Sequence, residues 1–279
     1  MKQLLVWGIT LGLTSMSLSP RAYALWFSVP KKAKALLEFG RANGNELNPN
    51  EIDILVWNTY KSQNPSWQDD YNFLLKGREL AILQEAFLRP VVVDTFSNQD
   101  DYKYLMATSF IYTKSNIPTG TATGSSVNPK NFYFKKTRDV EILGLTPKAT
   151  LFTEYALSGR TDTLLVINIH ALNSVPAFIF KRHLDDAIVE IKKHRGPVVY
   201  AGDFNTWSWL KTKVLKKSMK KLGMEEVIFP NGGDRMRSGL TKRVIDFIFV
   251  RGMKYENAWV YGQLEGADHK ALTARLKVK

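Results

Sequence analysis

Apolar runs in this chain carry, at their ends, side chains that chemistry can use. Ile52-Asp53-Ile54-Leu55-Val56-Trp57 leads to Asn58, and Leu83-Gln84 leads to Glu85. The run Leu164 to Ile169 leads to His170, and Pro197 to Ala201 leads to Gly202-Asp203-Phe204-Asn205. Further on, Asp246 stands beside Phe247 to Val250, and Asp268-His269 comes just before Ala271 to Val278. An extended strand delivers the residue at its end to the rim of a sheet, so these groups can converge although they span more than two hundred positions. No internal cut leaves all of them on one side, which predicts a single catalytic domain.

The spacing predicts strands at 52–57, 104–113, 150–157, 164–169, 197–201, 244–250, 258–261 and 271–278. Helical spacing over 69–83 carries Leu74, Leu75, Leu80 and Leu83, and Phe178 to His194 repeats Leu184, Ala187, Ile188 and Ile191 on one face. A third helix begins near Trp207. Pro118 to Lys130 reads as a loop, and Lys31 to Asn50 as a short helix and loop. Strands and helices without strict βα alternation predict an α+β fold, two packed sheets flanked by helices. The domains expected are a signal peptide over 1–24, a lead-in over 25–50 and a catalytic domain over 51–279.

The N-terminus supports the first of these. Lys2 precedes an uncharged, largely apolar run from Leu4 to Leu18, and Ala22-Tyr23-Ala24 is a small-x-small cleavage pattern. The run is shorter than the roughly 20 residues that span a bilayer, so cleavage near Ala24 and a periplasmic or secreted protein are expected over an anchor. With no cysteine, the fold has no disulfide to rely on in an oxidising compartment. The chain carries a formal charge of +13, and removal of 1–24 takes away Lys2 and Arg21 to leave +11. That excess suits a polyanion or an anionic membrane. Lys211 to Lys221, at helical spacing, reads as a solvated basic face.

Hydrolysis of a phosphate ester needs charge neutralisation, an activated water and help for the leaving oxygen. Glu85 and Asp268 are hard oxygen ligands suited to Mg²⁺. Asp203 can take a proton from water or orient it, while Asn58 and Asn205 can donate amide hydrogens. His269, with Asp246 to hold its ring, and His170 offer two imidazoles. His183 and His194, on the amphipathic helix, read as structural.

These motifs, Trp57-Asn58, Leu83-Gln84-Glu85, Asn168-Ile169-His170, Gly202-Asp203-Phe204-Asn205, Ile245-Asp246-Phe247 and Ala267-Asp268-His269, resemble in order those of the endonuclease/exonuclease/phosphatase superfamily. That superfamily includes DNase I-like nucleases, neutral sphingomyelinases, inositol polyphosphate phosphatases and abasic-site endonucleases, and the wording here is most similar to a bacterial subgroup. The resemblance covers about 52–277. It implies a DNase I-like four-layer α/β/β/α sandwich of two mixed β-sheets with the site at one edge. It also implies Glu85 as principal ligand of Mg²⁺, or of Mn²⁺, with Asn58 and Asp268 close by. Asp203 and Asn205 would handle water and phosphate, His269 with Asp246 would be general base or phosphate stabiliser, and His170 general acid. Asn173 and Arg138 are implied phosphate contacts. Ala267 and Ala271 depart from a common Ser and Pro without touching the reacting groups. His170 leans away from the abasic-site branch.

The function expected is a monomeric Mg²⁺-dependent phosphodiesterase, an endonuclease of low sequence specificity acting on DNA or RNA, with Trp207 and Trp209 available for stacking on bases or for helix packing. The alternatives are a phospholipase C-type enzyme acting on sphingomyelin or another membrane phospholipid, and a catalytically inactive anion-binding protein.

Overall fold

The computed structural model describes residues 26–141, 146–232 and 243–279. The expected signal peptide lies outside the described residues. In chain order the first strands are β1 (Phe27–Ser28), β2 (Leu36–Arg41), β3 (Glu46–Leu47), β4 (Ile52–Asn58), β5 (Leu80–Phe87), β6 (Tyr102–Tyr112), β7 (Ile117–Ser125) and β8 (Asn131–Lys136). They are followed by β9 (Ala149–Leu157), β10 (Thr163–His170), β11 (Val198–Asp203), β12 (Glu225–Glu226), β13 (Asp246–Arg251), β14 (Met253–Tyr261) and β15 (Ala271–Val278). The α-helices among the described residues are α1 (Trp67–Leu75), α2 (Pro90–Asn98), α3 (Ala177–Lys193) and α4 (Trp209–Lys221).

The strands form two mixed sheets. An eight-stranded sheet has the order β1-β6-β7-β5-β4-β15-β14, with β2 also on β6, and a seven-stranded sheet the order β12-β13-β11-β10-β9-β3, with β8 also on β9. The pairs β4 with β5, β10 with β11 and β3 with β9 are parallel. Strands buried on both faces lose the polar alternation of a surface strand, and here the two apolar parities go to different layers. From β4, Ile52, Ile54 and Val56 join Val166 of β10, Val199 of β11 and Ile248 of β13 in a core between the sheets. Leu55 and Trp57 face the other way, against Trp67, Tyr71 and Leu74 of α1 and Phe96 of α2. Likewise Leu165 and Ile167 of β10 pack with Phe180, Leu184 and Ile191 of α3 and Leu215 of α4. Each such fully buried side chain contributes about 2 kcal/mol.

Three segments differ from the sequence expectation. The helical spacing of 69–83 covers only α1, and Leu80 to Leu83 is strand; parallel pairing with β4 on one side and antiparallel pairing with β7 on the other decides it. The expected loop at 118–130 is largely β7, whose Thr and Gly residues carry no apolar signature. Thr119, Thr121 and Thr123 are buried between β5 and β6. Gly120 and Gly124 lie so close to the Ala107 carbonyl and the Tyr102 and Tyr104 rings that a Cβ would collide with them. Finally, only a short 3₁₀ turn forms at Lys32–Lys34, and the lead-in supplies β2 to the first sheet and β3 to the second.

Candidate active site

The parity that fills the inter-sheet core also places the chemistry. Continuing the inward series past the last apolar residue gives Asn58 after Val56, His170 after Val166 and Asn168, Asp203 after Ala201, and Asp246 before Ile248. Register then aligns them: His170 pairs with Asp203, and Asp203 with Asp246, in one row across β10, β11 and β13. All four are buried.

Glu85 has the wrong parity for this gap, and a bulge corrects it. Pairing of β5 with β7 shifts between Leu83 and Ala86, and Glu85 takes a left-handed φ of 54°. Such a bulge re-aims a side chain at the cost of local strain. Its carboxylate now lies 3.9 Å from His170 Nε2. Gly202 has φ 136°, and a Cβ there would press on the Ile169 carbonyl oxygen and the Gln84 side chain, which explains a glycine just before Asp203.

The described residues enclose a cavity of about 340 Å³ lined by Glu85, His170, Asn173, Asp203, Asn205, Asp268 and His269. Asp203 Oδ2 sits 3.5 Å from His170 Nε2 and 3.9 Å from His269 Nε2. It accepts from Asn58 Nδ2 at 3.1 Å, while Oδ1 accepts the Asn205 backbone N–H at 2.8 Å. Asp246 holds His269 Nδ1 at 2.8 Å, and the Trp57 indole donates to the His269 carbonyl. Asn205, at φ 48°, donates its amide to Ala171 O at 2.8 Å and accepts from the Trp207 indole at 2.9 Å. Trp207 is thus a support for Asn205.

Burial pushes the Asp203 carboxyl up, reinforced by Asp246 and opposed by His269 and by the hydrogen bonds from Asn205 and Asn58, to about 7. A carboxyl near neutrality can exchange a proton with water at working pH. Burial also holds His170 well below the usual imidazole range, with Lys148 acting the same way and Glu85 against it. Burial alone would keep Glu85 protonated, but His170, Lys61 and Lys148 outweigh it and hold the carboxyl at about 2. Because His170 is itself held neutral, the part of that lowering that stands comes from Lys61, hydrogen-bonded to Glu85, and from Lys148.

Not every expected residue lines the cavity. Asn58 is 1% exposed, its Oδ1 accepting the Tyr60 N–H and its Nδ2 donating to Asp203. Asn173 lines the cavity and its N–H binds Glu141. Arg138 is exposed and outside the lining. Conversely, Lys61, Glu141 and Lys148 do line it. Lys61 Nζ is 2.8 Å from Glu85 Oε2, and Lys148 Nζ is 3.3 Å from Glu141 Oε1. The position of Lys61 three residues after Asn58 was the one available sequence signal for any of them.

The donor chemistry suits a hard divalent cation. Glu85 is ionised, and Asp203 and Asp268 present further oxygens to the same cavity. The buried trio Asp203, Asp246 and His269 also brings one ligand atom of each within 4.8 Å of the others. Both Asp246 oxygens, however, are taken by His269 Nδ1, at 3.1 and 2.8 Å, so that trio reads better as a carboxylate-oriented imidazole beside Asp203.

Two mixed sheets between helical layers, with carboxylates and imidazoles gathered at the inward strand ends, define a DNase I-like sandwich. The chain belongs to the endonuclease/exonuclease/phosphatase family, whose model matches residues 29–269. Members of that family are generally phosphoester hydrolases that use divalent metals. A UPF0294 protein of Photorhabdus laumondii is 34% identical over 225 residues, 80% of this chain and 82% of its own length. A UPF0294 protein of Klebsiella pneumoniae is 33% identical over 232 residues, 82% of this chain and 83% of its own. Among solved structures, an endonuclease/exonuclease/phosphatase from Beutenbergia cavernae superposes with a TM-score of 0.65 at 14% identity, over 82% of this chain and 72% of that one. D. rerio TDP2, complexed with a single-strand DNA product, gives 0.58 at 13% identity, over 82% and 99%.

Proposed function

We propose that this protein is a Mg²⁺-dependent phosphodiesterase, with Mn²⁺ as a substitute, that cleaves nucleic acid endonucleolytically with low sequence specificity. The observation that carries the reading is the convergence of ionised Glu85, Asp203 poised near neutrality and the Asp246-held His269 in one cavity. Glu85 and Asp268 would hold the cation, which when bound neutralises charge on the phosphate and polarises it. Asp203 orients water and accepts its proton. His269, its Nδ1–H held by Asp246, presents the Nε2 lone pair to the cavity, where it can take a proton and, once protonated, donate to a phosphate oxygen, and Asn205 sits beside them as a further polar contact. His170 is a neutral donor until the negative charge of a bound phosphate raises its proton affinity, when it can protonate the leaving oxygen.

Nucleic acid is favoured by the charge of +13 and by the DNA bound to the structurally similar TDP2. A membrane phospholipid is the second reading, favoured by Trp26, 69% exposed next to the cavity-lining Phe27. We further propose a monomer that acts in the periplasm or outside the cell, from the composition of residues 1–24. N-terminal sequencing of the fractionated protein tests that placement. The function is tested by assaying DNA, RNA, sphingomyelin vesicles and a soluble phosphomonoester in parallel, with Mg²⁺ and with chelator. Metal-dependent nicking that His170→Ala abolishes is expected. Phosphocholine release alone would replace the nuclease with the lipid reading, and no turnover by folded protein would refute both.

A further inference from the structure

Lys61 occupies the carboxylate that the proposed metal requires. Its Nζ is 2.8 Å from Glu85 Oε2, both side chains are largely buried, and the ammonium lines the catalytic cavity. The backbone is built to put it there. Tyr60, Lys61 and Ser62 have φ of 49°, 54° and 53°, three consecutive non-glycine residues in the left-handed region. That conformation costs of order 1 kcal/mol or more per residue and persists only where its surroundings over-determine it.

Those surroundings are present. The Thr59 N–H and hydroxyl both donate to Gln84 O, at 2.9 and 3.0 Å. The Tyr60 N–H donates to Asn58 Oδ1, the Ser62 N–H to Thr59 O, and Arg89 to Ser62 O at 3.0 Å. The turn is therefore clamped to β5 and to Arg89 just before α2, and the part left to move is the four-carbon stem of Lys61. A lysine ammonium is a point charge that can change partner by rotating that stem, which a forked guanidinium could not do as freely.

We propose that Lys61 is a built-in competitor for the metal: its ammonium neutralises Glu85 in the metal-free protein, is displaced when a divalent cation takes that carboxylate, and then binds the substrate phosphate. The inference rests on the reading of Glu85 as a metal ligand. It gives the strained turn a purpose, because the same cation serves two partners within reach of one clamped Cα.

The test is a Mn²⁺ titration of the full chain, read by the paramagnetic signal of free Mn²⁺ and by calorimetry, on wild type, Lys61→Met, Lys61→Gln and Glu85→Gln. Removing a competing, partly exposed ion pair is expected to tighten Mn²⁺ binding about fivefold in both Lys61 variants. Their KM for the substrate established by the parallel assay should rise. Unchanged or weaker Mn²⁺ affinity with normal wild-type binding overturns the competitor role, and an unchanged KM overturns the phosphate role. Wild-type affinity retained in Glu85→Gln, or no Mn²⁺ binding by any of the four proteins, overturns the metal reading itself and this inference with it. Two Lys61 variants of different polarity keep the result interpretable if one fails to fold.

Discussion

Gln84 of β5 donates its amide to Asn168 of β10 at 2.8 Å, joining the two sheets by a buried side-chain hydrogen bond directly behind the catalytic cavity. Asn168 in turn donates to Leu83 O and Ala122 O, at 3.0 and 2.9 Å. Both side chains sit at inward positions that the apolar series would otherwise fill; Gln84 immediately precedes Glu85, and Asn168 stands two residues before His170. Asn168→Leu removes the donor to those carbonyls and one of the two acceptors of the Gln84 amide, which also donates to Ile82 O, so a loss of about 3 kcal/mol is expected in urea unfolding. A loss under about 1 kcal/mol would show that the sheets do not need the bridge.

Gly202→Ala should be at least as damaging. The new methyl meets the Ile169 carbonyl oxygen in the neighbouring strand, and φ of 136° is a region that side chains rarely adopt. About 3 kcal/mol or more is expected, visible as a lower melting temperature. A wild-type melting curve would mean that β11 shifts freely, which the row from His170 to Asp246 does not permit.

Much of this site was legible because the two-residue period of a strand is rigid. Once the run ending in Trp57 or Ala201 is read as a strand between two apolar layers, the parity of Asn58 and Asp203 follows. What escaped was carried by geometry without a hydrophobic signature. Lys61 reaches the cavity through a left-handed turn and Lys148 meets Glu141 beside the paired strands β8 and β9, while Glu85, legible in its motif, needs a bulge to reach the same place. Strand β7 hid behind threonines and glycines that satisfy a crowded sheet interior. Lys211, expected on a solvated basic face, is 5% exposed, reaches toward Leu172 O and Asn205 O at 3.4 Å, and lies over the Phe180 ring. The other lysines of α4, Lys213, Lys216, Lys217, Lys220 and Lys221, are exposed. Helical spacing gives the faces of α4, and tertiary packing chose Lys211 for the inner one.

Asp246→Asn tests whether His269 depends on its carboxylate. The amide can present its N–H to Nδ1 and favour the other tautomer, which replaces the Nε2 lone pair facing the cavity with an N–H. On the order of 10³-fold loss of kcat is expected, with Mn²⁺ affinity close to wild type. A parallel loss of metal binding would instead place Asp246 among the ligands, as its grouping with Asp203 and His269 allows.

Acid should loosen the fold at His183, a histidine outside the chemistry. The Leu172 N–H donates to His183 Nδ1 at 3.2 Å, so Nδ1 carries no proton and Nε2–H faces Thr150 Oγ1 at 3.3 Å. Burial, with Lys148 adding, pulls its pKa down to about 3. Because the folded pKa lies below the unfolded value of about 6.5, the stabilisation is full above pH 6.5 and declines as pH falls toward 3. Unfolding free energies measured from pH 7.5 to 4 should drop by a few kcal/mol from this group, and less in His183→Gln. Equal slopes for the two proteins would assign acid sensitivity elsewhere.

The two tryptophans after Asn205 separate positioning from binding. Trp207 donates its indole N–H to Asn205 Oδ1, so Trp207→Phe keeps the ring and deletes the bond that holds a left-handed, cavity-lining asparagine. Its expected effect is about a tenfold fall in kcat with little change in KM, since one hydrogen bond of about 1.4 kcal/mol corresponds to that factor. Trp209 is 61% exposed at the start of α4, with Lys213 Nζ 4.7 Å from its ring centroid. A flat ring beside a cation is suited to a base and its phosphate, and Trp209→Ala should raise KM for single-stranded nucleic acid about tenfold while sparing kcat. If Trp209→Ala leaves nucleic-acid KM unchanged but reduces vesicle binding, the exposed ring serves a membrane, and the same assay then moves the substrate of the cavity from a nucleotide to a lipid headgroup.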